Sequence, residues 1–169
     1  MAEFSIDNRK ISSNESPFVI AELSGNHNGK LDNALKLIDA AHAAGADAIK
    51  LQTYTANTMT IRSNRPEFTI QGGPWHGKTL FDLYDWAHTP WEWHERLFTH
   101  AKDLGLIAFS SPFDETAVDF LESLNVPAYK IASFELMDWD LIDKVISTDK
   151  PVILSTGMAS MDEIQQTYE

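Results

Sequence analysis

The chain has 169 residues, of which 43% are hydrophobic and 22% are charged, a composition typical of a globular domain with a buried core. It contains no cysteine, which excludes disulfide bonds, cysteine-based metal centres and thiol nucleophiles. The formal net charge of −12 disfavours nonspecific binding to nucleic acid and to anionic membrane surfaces. A local cationic pocket for a phosphorylated substrate is compatible with that charge.

Residues 1–16 are mostly polar, and Phe4, Ile6 and Ile11 alternate around Asp7-Asn8. This pattern predicts a short N-terminal β-hairpin before the main body of the fold, which we expect over residues 17–169. No apolar run approaches the roughly 18 residues of a membrane span, and the N-terminus lacks a basic segment followed by an apolar one. We therefore expect a cytoplasmic enzyme that binds neither a membrane nor nucleic acid.

Short apolar runs, each followed by a segment of helical period, make up the rest of the chain. The runs predict buried strands at Phe18–Leu23, Ala48–Gln52, Leu106–Phe109, Ala128–Ala132 and Val152–Leu154. The helical stripes begin at Leu31, Leu97, Ala117, Leu141 and Met161. Gly45 and Gly105 are expected C-caps, and Asp114 is an expected N-cap. This alternation is typical of an α/β fold in which helical crossovers connect parallel strands, and a complete eight-stranded barrel would need about 250 residues.

The segment Ile61–Pro90 interrupts this alternation. It contains Gly72-Gly73-Pro74 and a dense aromatic set that includes Phe81, Tyr84 and Trp86. Connections this long are usually functional, so we expect a substrate-binding lid, with simple packing over the sheet as the alternative. The tryptophans of this region are expected to pack rather than to bind a sugar.

Polar residues lie near the carboxyl end of every predicted strand, where parallel α/β folds place their active sites. They are Glu22, Lys50, Gln52, Ser110, Ser111, Lys130, Ser133, Glu135, Ser155 and Thr156. Because side chains alternate along a strand, Lys50 and Gln52 share one face, and Lys130 shares a face with small alanine neighbours.

A lysine inside a buried strand is costly unless it is paired. Two explanations are open for Lys50 and Lys130: a structural ion pair with Glu22 or Glu135, or a binding site for an anionic ligand. The presence of two lysines among several hydroxyls favours the anion site. A ligand that carries both phosphate and carboxylate, such as phosphoenolpyruvate, fits this description, as do other phosphorylated metabolites.

The histidines give weaker signals. His94-Glu95-Arg96-Leu97-Phe98 lacks the second histidine of the H-E-x-x-H zinc motif, so His94 and His100 are expected on the surface of a helix. His27 follows the first strand, where contact with a ligand and a structural role are both open.

Five strings along nearly the whole chain resemble the sialic acid synthase family. They are Ala-Glu-Leu-Ser-Gly-Asn-His-Asn-Gly (21–29), Gly-Ala-Asp-Ala-Ile-Lys-Leu-Gln-Thr-Tyr (45–54), Phe-Ser-Ser-Pro-Phe-Asp (109–114), Val-Pro-Ala-Tyr-Lys-Ile-Ala-Ser-Phe-Glu (126–135) and Lys-Pro-Val-Ile-Leu-Ser-Thr-Gly-Met-Ala (150–159). Within that family, the segment 78–94 and Ala-Ser-Phe-Glu are similar to the members that use a doubly acylated 6-deoxy amino sugar. Members that make N-acetylneuraminate or legionaminate are the alternatives.

The resemblance implies a (β/α)8 TIM barrel, preceded here by the hairpin, that condenses phosphoenolpyruvate with an open-chain acylated amino sugar. The products are a nine-carbon 2-keto acid and phosphate. By position, the resemblance implies that the residues binding phosphoenolpyruvate are Lys50, Ser111, Lys130, Ser133 and Ser155. It also implies that Gln52 and Glu135 contact the sugar and that Glu22 acts catalytically near the reacting carbons.

The same resemblance implies a divalent metal, Mn²⁺ or Mg²⁺, held by two histidines on later strands, together with a homodimer and a C-terminal antifreeze-like domain. Because the chain ends at Glu169, we expect an N-terminal portion with about five βα units. We expect this portion to contain no metal ligands of its own and to be inactive by itself.

Two alternatives to a synthase are open. Another barrel acting on a phosphorylated substrate, such as an aldolase, would form a Schiff base on Lys50 or Lys130, which borohydride would trap. A chain without enzymatic activity would keep weak anion binding only, which calorimetry beside a turnover assay would reveal.

Overall fold

The computed structural model describes residues 3–169 and contains a two-stranded antiparallel hairpin and a five-stranded parallel sheet. The hairpin consists of β1 (Phe4–Ile6) and β2 (Arg9–Ile11), and the sheet contains, in spatial order, β3 (Ile20–Glu22), β4 (Ala48–Thr53), β5 (Ile107–Pro112), β6 (Tyr129–Ile131) and β7 (Val152–Leu154). The helices are α1 (Leu31–Ala43), α2 (Ala56–Met59), α3 (Leu80–Ala87), α4 (Trp91–Asp103), α5 (Glu115–Ser123), α6 (Trp139–Ile146) and α7 (Met161–Tyr168). The sheet curls into part of a (β/α)8 barrel, and both this fold class and the hairpin are confirmed.

Local chemistry sets the ends of these elements. Gly45 and Gly105 follow α1 and α4 with positive φ values of 80° and 81°, a conformation that is costly for residues with a Cβ atom. Asp114 begins α5 because its Oδ1 accepts a hydrogen bond from the Ala117 N–H at 2.8 Å. β5 extends past the predicted end at Phe109, because its polar continuation pairs with β4 as far as Pro112.

The outer face of the sheet is covered by helices in two hydrophobic clusters. One joins α1 and α4 to β4 and includes Ile38, Leu51 and Leu97. The other joins α5 and α6 to β6 and includes Leu121 and Tyr129. Burial of these side chains fixes which strand residues face outward, so their neighbours along each strand face the barrel interior.

The hairpin packs against the amino ends of the strands on the interior face. Ile6 is 1% exposed and forms one cluster with Ala48, Phe109 and Ala128. The hairpin is tied to the barrel by Arg9, whose Nε lies 3.7 Å from Asp47 Oδ1. The hairpin therefore closes one end of the interior, and the polar end of the strands lies opposite.

The segment Ile61–Pro90 is more regular than expected. It forms two 3₁₀ turns, a bridge between Thr69 and Thr79, and the helix α3. The Thr79 side chain accepts a hydrogen bond from the Asp82 N–H at 3.1 Å, which caps the helix. The sequence does contain a signal for this helix, namely a capping threonine followed by apolar residues at helical spacing. It was overlooked because the many aromatic residues of the segment were interpreted as part of a lid.

The exposed sheet edges lead to a prediction for the 169-residue polypeptide by itself. Within residues 3–169, β3 and β7 each pair on one side only, so both present unpaired N–H and C=O groups. The charge of −12 opposes association but cannot satisfy those groups. We expect oligomers or a partly molten species in analytical ultracentrifugation and dye binding. A monodisperse monomer that unfolds cooperatively would contradict this prediction.

Candidate active site

Polar side chains converge at the carboxyl end of the interior face. The register places Glu22 beside Lys50 and Gln52 beside Ser111. Lys50 Nζ forms an ion pair with Glu22 Oε2, and the Ser24 hydroxyl donates to Glu22 Oε1 at 3.1 Å. Lys50 is 9% exposed and the Glu22 side chain is 43% exposed, so the lysine lies in the wall of the barrel and the carboxylate is accessible to solvent.

Lys130 lies on β6 and also faces this region. Burial lowers its pKa, and the Lys50 charge lowers it further, against smaller opposing contributions from Glu22 and Glu135. Within residues 3–169, Lys130 forms no ion pair with a carboxylate, whereas Lys50 is paired. The two ammonium groups therefore repel each other in a partly buried region. An anionic ligand bound near both would relieve this repulsion.

Ser111 adds a hydrogen-bonding group without a protein partner. The residue is 1% exposed, and its Oγ makes no hydrogen bond within the described part of the chain. Buried hydroxyls are normally paired, because an unpaired one costs about 1–3 kcal/mol. The orphaned Oγ on the same face as Lys50 therefore indicates a place where a ligand oxygen is bound.

Ser133 and Ser155 follow β6 and β7 in neighbouring loops. Ser155 continues the sheet, since its N–H donates to the Ile131 carbonyl at 3.1 Å. The loops approach closely at Gly157, where a Cβ would lie 3.0 Å from Ser133 Oγ. A glycine here lets the two hydroxyl-bearing loops meet, and both serines lie at the end of the sheet that carries the lysines.

A cleft of about 410 Å³ opens beside these residues and is lined by Gln52 and Glu135 together with apolar side chains. Burial raises the pKa of Glu135, and the charge of Lys130 opposes this rise. Glu135 Oε2 is buried and has no hydrogen-bond partner within residues 3–169. The two residues expected to contact a sugar therefore share one cavity, and its volume suits a small molecule.

Ser110 does not belong to this group, contrary to expectation. Its side chain is on the outer face, where its Oγ lies 2.7 Å from Thr53 Oγ1. Side chains alternate along a strand, so Ser110 and Ser111 cannot share a face. Thr53 Oγ1 in turn lies 2.9 Å from His94 Nε2, and His94 Nδ1 lies 3.2 Å from the Pro90 carbonyl.

The expected surface position of His94 is therefore wrong: the residue is fully buried. Burial lowers its pKa to about 4, so the ring is neutral at neutral pH. A neutral ring satisfies this network when Nδ1–H donates to the carbonyl and Nε2 accepts from the Thr53 hydroxyl. The network joins β4 and β5 to α4 directly behind Gln52 and Ser111. His100, in contrast, is partly exposed beside Asp39 at 2.7 Å.

His94 predicts a loss of stability in mild acid. The unfolded histidine binds a proton below about pH 6.5 and the folded one only near pH 4, so its contribution is complete above pH 6.5 and is lost as pH falls towards 4. Linkage gives a loss of about 2 kcal/mol between pH 7.5 and 5. Denaturant unfolding of the full-length polypeptide containing this sequence, at a series of pH values, measures this loss. His94→Gln should remove this part of the dependence of the free energy of unfolding on pH, whereas His42→Gln, at an exposed histidine, should keep it. The same pH dependence in both variants would refute the assignment to His94.

His27 is also buried away from the cleft. Its Nδ1 accepts from the Gly29 N–H at 3.1 Å, and its Nε2 lies 3.3 Å from Thr89 Oγ1. Its ring meets Trp93 edge to face at 5.4 Å. Burial lowers its pKa. Of the two alternatives, the structure supports the structural one, in which His27 braces the loop after β3.

The tryptophans pack, as expected. Trp75 and Trp86 lie against each other at 4.7 Å, and Trp91 stacks on Phe120 at 4.8 Å. The cleft is instead lined by aromatic residues that the sequence did not single out for ligand binding, Tyr54 and Phe113, together with Tyr84 of α3. Their proximity to Gln52 along the chain is the signal that could have found Tyr54.

The described residues contain no cluster of three or more His, Asp or Glu side chains that could hold a metal ion. Residues 3–169 therefore do not fit the metal site that the resemblance implies. No helix in this part of the chain is long and apolar enough to cross a membrane.

Part of a (β/α)8 barrel with polar side chains at the carboxyl ends of its strands defines a class of protein: α/β barrels, whose functional sites lie at that end of the strands. Sequence comparison gives the family within that class. The chain belongs to the NeuB family, whose model matches residues 37–169. This confirms the resemblance found in the five sequence strings.

Individual relatives give the same result. Pseudaminic acid synthase from Helicobacter pylori is 51% identical over 149 residues, and that from Campylobacter jejuni is 47% identical over 152. These alignments cover 88% and 90% of this chain but 44% of each relative, so the chain spans less than half of their length. The crystal structure of N-acetylneuraminic acid synthetase from Leptospira borgpetersenii in complex with citrate superposes with a TM-score of 0.85 and 29% identity, covering 99% of this chain and 54% of that one.

Proposed function

We propose that this chain forms part of a synthase that condenses phosphoenolpyruvate with a 2,4-diacetamido-2,4,6-trideoxy hexose, giving a nine-carbon 2-keto acid, pseudaminic acid, and phosphate. The observation that carries this proposal is the pair Lys50 and Lys130 beside the unpartnered Ser111 hydroxyl, next to a cleft lined by Gln52 and Glu135. The similarity to two pseudaminic acid synthases supports the choice of sugar.

In this proposal the lysines hold phosphoenolpyruvate in the geometry of attack. Its phosphate and carboxylate are bound by the ammonium groups of Lys50 and Lys130 and by the hydroxyls of Ser111, Ser133 and Ser155. Charge-assisted hydrogen bonds from partly buried groups bind the anion more strongly than the same contacts would in water. Its carbon 3 then faces the cleft, where Gln52 and Glu135 orient the sugar aldehyde.

The reaction forms one carbon–carbon bond and breaks one bond to the phosphate group. Carbon 3 of phosphoenolpyruvate attacks the aldehyde carbon, and the aldehyde oxygen takes a proton and becomes a hydroxyl. Positive charge develops at carbon 2, where water adds and gives up a proton. Collapse of that adduct expels phosphate and leaves the ketone. The Glu22 carboxylate, held by Lys50 and Ser24, stabilises the developing cation or orients the water.

The divalent metal that the resemblance implies is not assigned to any described residue of this chain, since these residues do not fit it. Its chemistry would be polarisation of the aldehyde as a Lewis acid. A homodimer and a cytoplasmic location belong to the proposal as well. The location is proposed because a substrate as highly charged as phosphoenolpyruvate does not cross a bilayer unaided.

Phosphate release tests this function. The full-length polypeptide containing this sequence is incubated with phosphoenolpyruvate, Mn²⁺ and the diacetamido sugar, and phosphate is measured together with the 2-keto acid by mass spectrometry. Equal amounts of the two products that depend on the sugar are expected. A covalent adduct trapped on Lys50 or Lys130 by borohydride would favour an aldolase instead. Phosphoenolpyruvate binding without any turnover would favour anion binding alone.

A further inference from the structure

The lining of the cleft beside Lys130 is chemically mixed. Gln52 and Glu135 contribute polar groups, whereas Tyr54, Met59, Tyr84, Phe113 and Phe134 contribute mainly apolar surface. A sugar carrying only hydroxyls would place some of them against aromatic carbon without hydrogen bonds, which is unfavourable. The cleft therefore fits a sugar with one polar edge and one alkylated edge.

Three of the four aromatic residues in this lining, Tyr54, Tyr84 and Phe113, are here called the aromatic wall. The Tyr54 ring meets Tyr84 edge to face at 6.0 Å and Phe113 edge to face at 5.5 Å. Tyr54 is 5% exposed, and burial raises its pKa to about 12, so its hydroxyl carries no charge at neutral pH. Edge-to-face contacts of this kind fix the orientation of the rings relative to one another.

The wall is held in place from outside the cleft. The Trp91 indole donates to the Tyr54 carbonyl at 3.3 Å. The helix α3, which carries Tyr84, abuts the loop after β3 so closely that a Cβ on Gly25 would lie 2.9 Å from the Ala87 carbonyl oxygen. The Arg62 guanidinium lies 3.7 Å from the centre of the Phe81 ring on the same helix. Tyr84 is thus preorganised, which reduces the entropic cost of binding.

We infer that Tyr54, Tyr84 and Phe113 determine sugar specificity by receiving the alkyl groups of the substrate, namely the methyl group of its 6-deoxy end and an N-acyl methyl group. The polar edge of the sugar then faces Gln52 and Glu135. This inference rests on the proposed function and assigns its selectivity to residues to which the sequence motifs gave no individual role. Of the 61–94 segment, Tyr84 carries the selectivity, because Trp75 and Trp86 pack against each other and do not line the cleft.

Competition between two sugars tests the wall. The full-length polypeptide containing this sequence is given phosphoenolpyruvate and Mn²⁺ with either the diacetamido 6-deoxy sugar or N-acetylmannosamine, which carries a hydroxymethyl group in place of the methyl group and a hydroxyl in place of the 4-acetamido group. The ratio of kcat/KM values is expected to favour the 6-deoxy sugar by about 10- to 100-fold, since a hydroxyl placed against an apolar wall gives discrimination of that size. Tyr84→Ala should lower the ratio about 10-fold, and Tyr84→Phe should keep it.

Two further variants make the test independent of folding. Phe134 lines the same cleft outside the aromatic wall and is 82% exposed, so Phe134→Ala should fold normally and, by removing apolar surface from the cleft, still lower the ratio by a few-fold. Tyr168→Ala, which removes an 83% exposed tyrosine from α7, is the matched control and should leave the ratio unchanged.

Failure of this inference is distinguishable from failure of the proposed function. If the unaltered enzyme turns over and Tyr84→Ala, Phe113→Ala and Phe134→Ala leave the ratio unchanged, the wall does not determine specificity. A preference of the unaltered enzyme for N-acetylmannosamine also overturns the inference and leaves a synthase of another sugar. If neither sugar releases phosphate, the proposed function is overturned, and the inference with it.

Discussion

Glu22→Gln in the full-length polypeptide is expected to lower kcat for phosphate release by about 100- to 1,000-fold, the range seen when one preorganised electrostatic group is removed from an active site. Glutamine keeps the size of the side chain but replaces one accepting oxygen with an NH2 donor and loses the charge that stabilises a cation at carbon 2. Lys50 simultaneously loses its ion-pair partner and becomes freer to bind an anion. The affinity for phosphoenolpyruvate should therefore stay the same or rise.

This division between kcat and affinity separates a catalytic role from a structural one. Steady-state kinetics at saturating sugar give kcat, and calorimetry gives the dissociation constant of phosphoenolpyruvate. Glu95→Gln, on the exposed side of α4, is the control for loss of one negative charge and should leave both unchanged. A kcat of Glu22→Gln within about 3-fold of the unaltered enzyme would show that this carboxylate does not act on the transition state.

Lys50→Ala and Lys130→Ala are each expected to weaken phosphoenolpyruvate binding by about 10- to 150-fold, because each removes a charge-assisted hydrogen bond worth roughly 1.5–3 kcal/mol. Burial and the Lys50 charge lower the pKa of Lys130, so an anion shared by the two lysines also relieves their repulsion. Calorimetry with the full-length polypeptide measures the effect. Lys102→Ala, an exposed lysine of α4, is the charge-matched control.

The same variants distinguish the anion site from a structural ion pair. If Lys50 serves only to neutralise Glu22, Lys50→Ala should lower the free energy of unfolding and leave the affinity for phosphoenolpyruvate unchanged. Lys130 has no ion pair of its own within residues 3–169, so its substitution should cost little stability. Unchanged affinity in both variants would refute the assignment of these lysines to phosphoenolpyruvate.

Most of the secondary structure and its order along the chain could be predicted, because both depend on local signals. Buried strands, helical periods and caps such as Asp114 and Gly45 are encoded within a few residues of one another. The helix α3 was not predicted, although its Thr79 cap is a local signal of the same kind. The density of aromatic residues and the glycines of this segment made it resemble a loop.

The alternation of side chains along a strand also predicted the interior positions of Lys50, Gln52 and Lys130, because period two needs no knowledge of the neighbours. The same rule, applied to Ser110 and Ser111, would have separated them; proximity in sequence was mistaken for proximity in the site. His94 could not be placed in this way, because its burial depends on Thr53 and Ser110, which come from two other elements.

The sequence by itself thus determined the order of elements, the end of the sheet to which the candidate site residues belong, and the family, since motifs and periodicity are local properties. Only the tertiary structure decided which hydroxyl is unpartnered, which histidines are buried and neutral, and which aromatic residues line the cleft. Tyr54, Tyr84 and Phe113 come from three separate segments. Contacts between distant segments form only when the strands and helices pack, and no pattern within one segment records them.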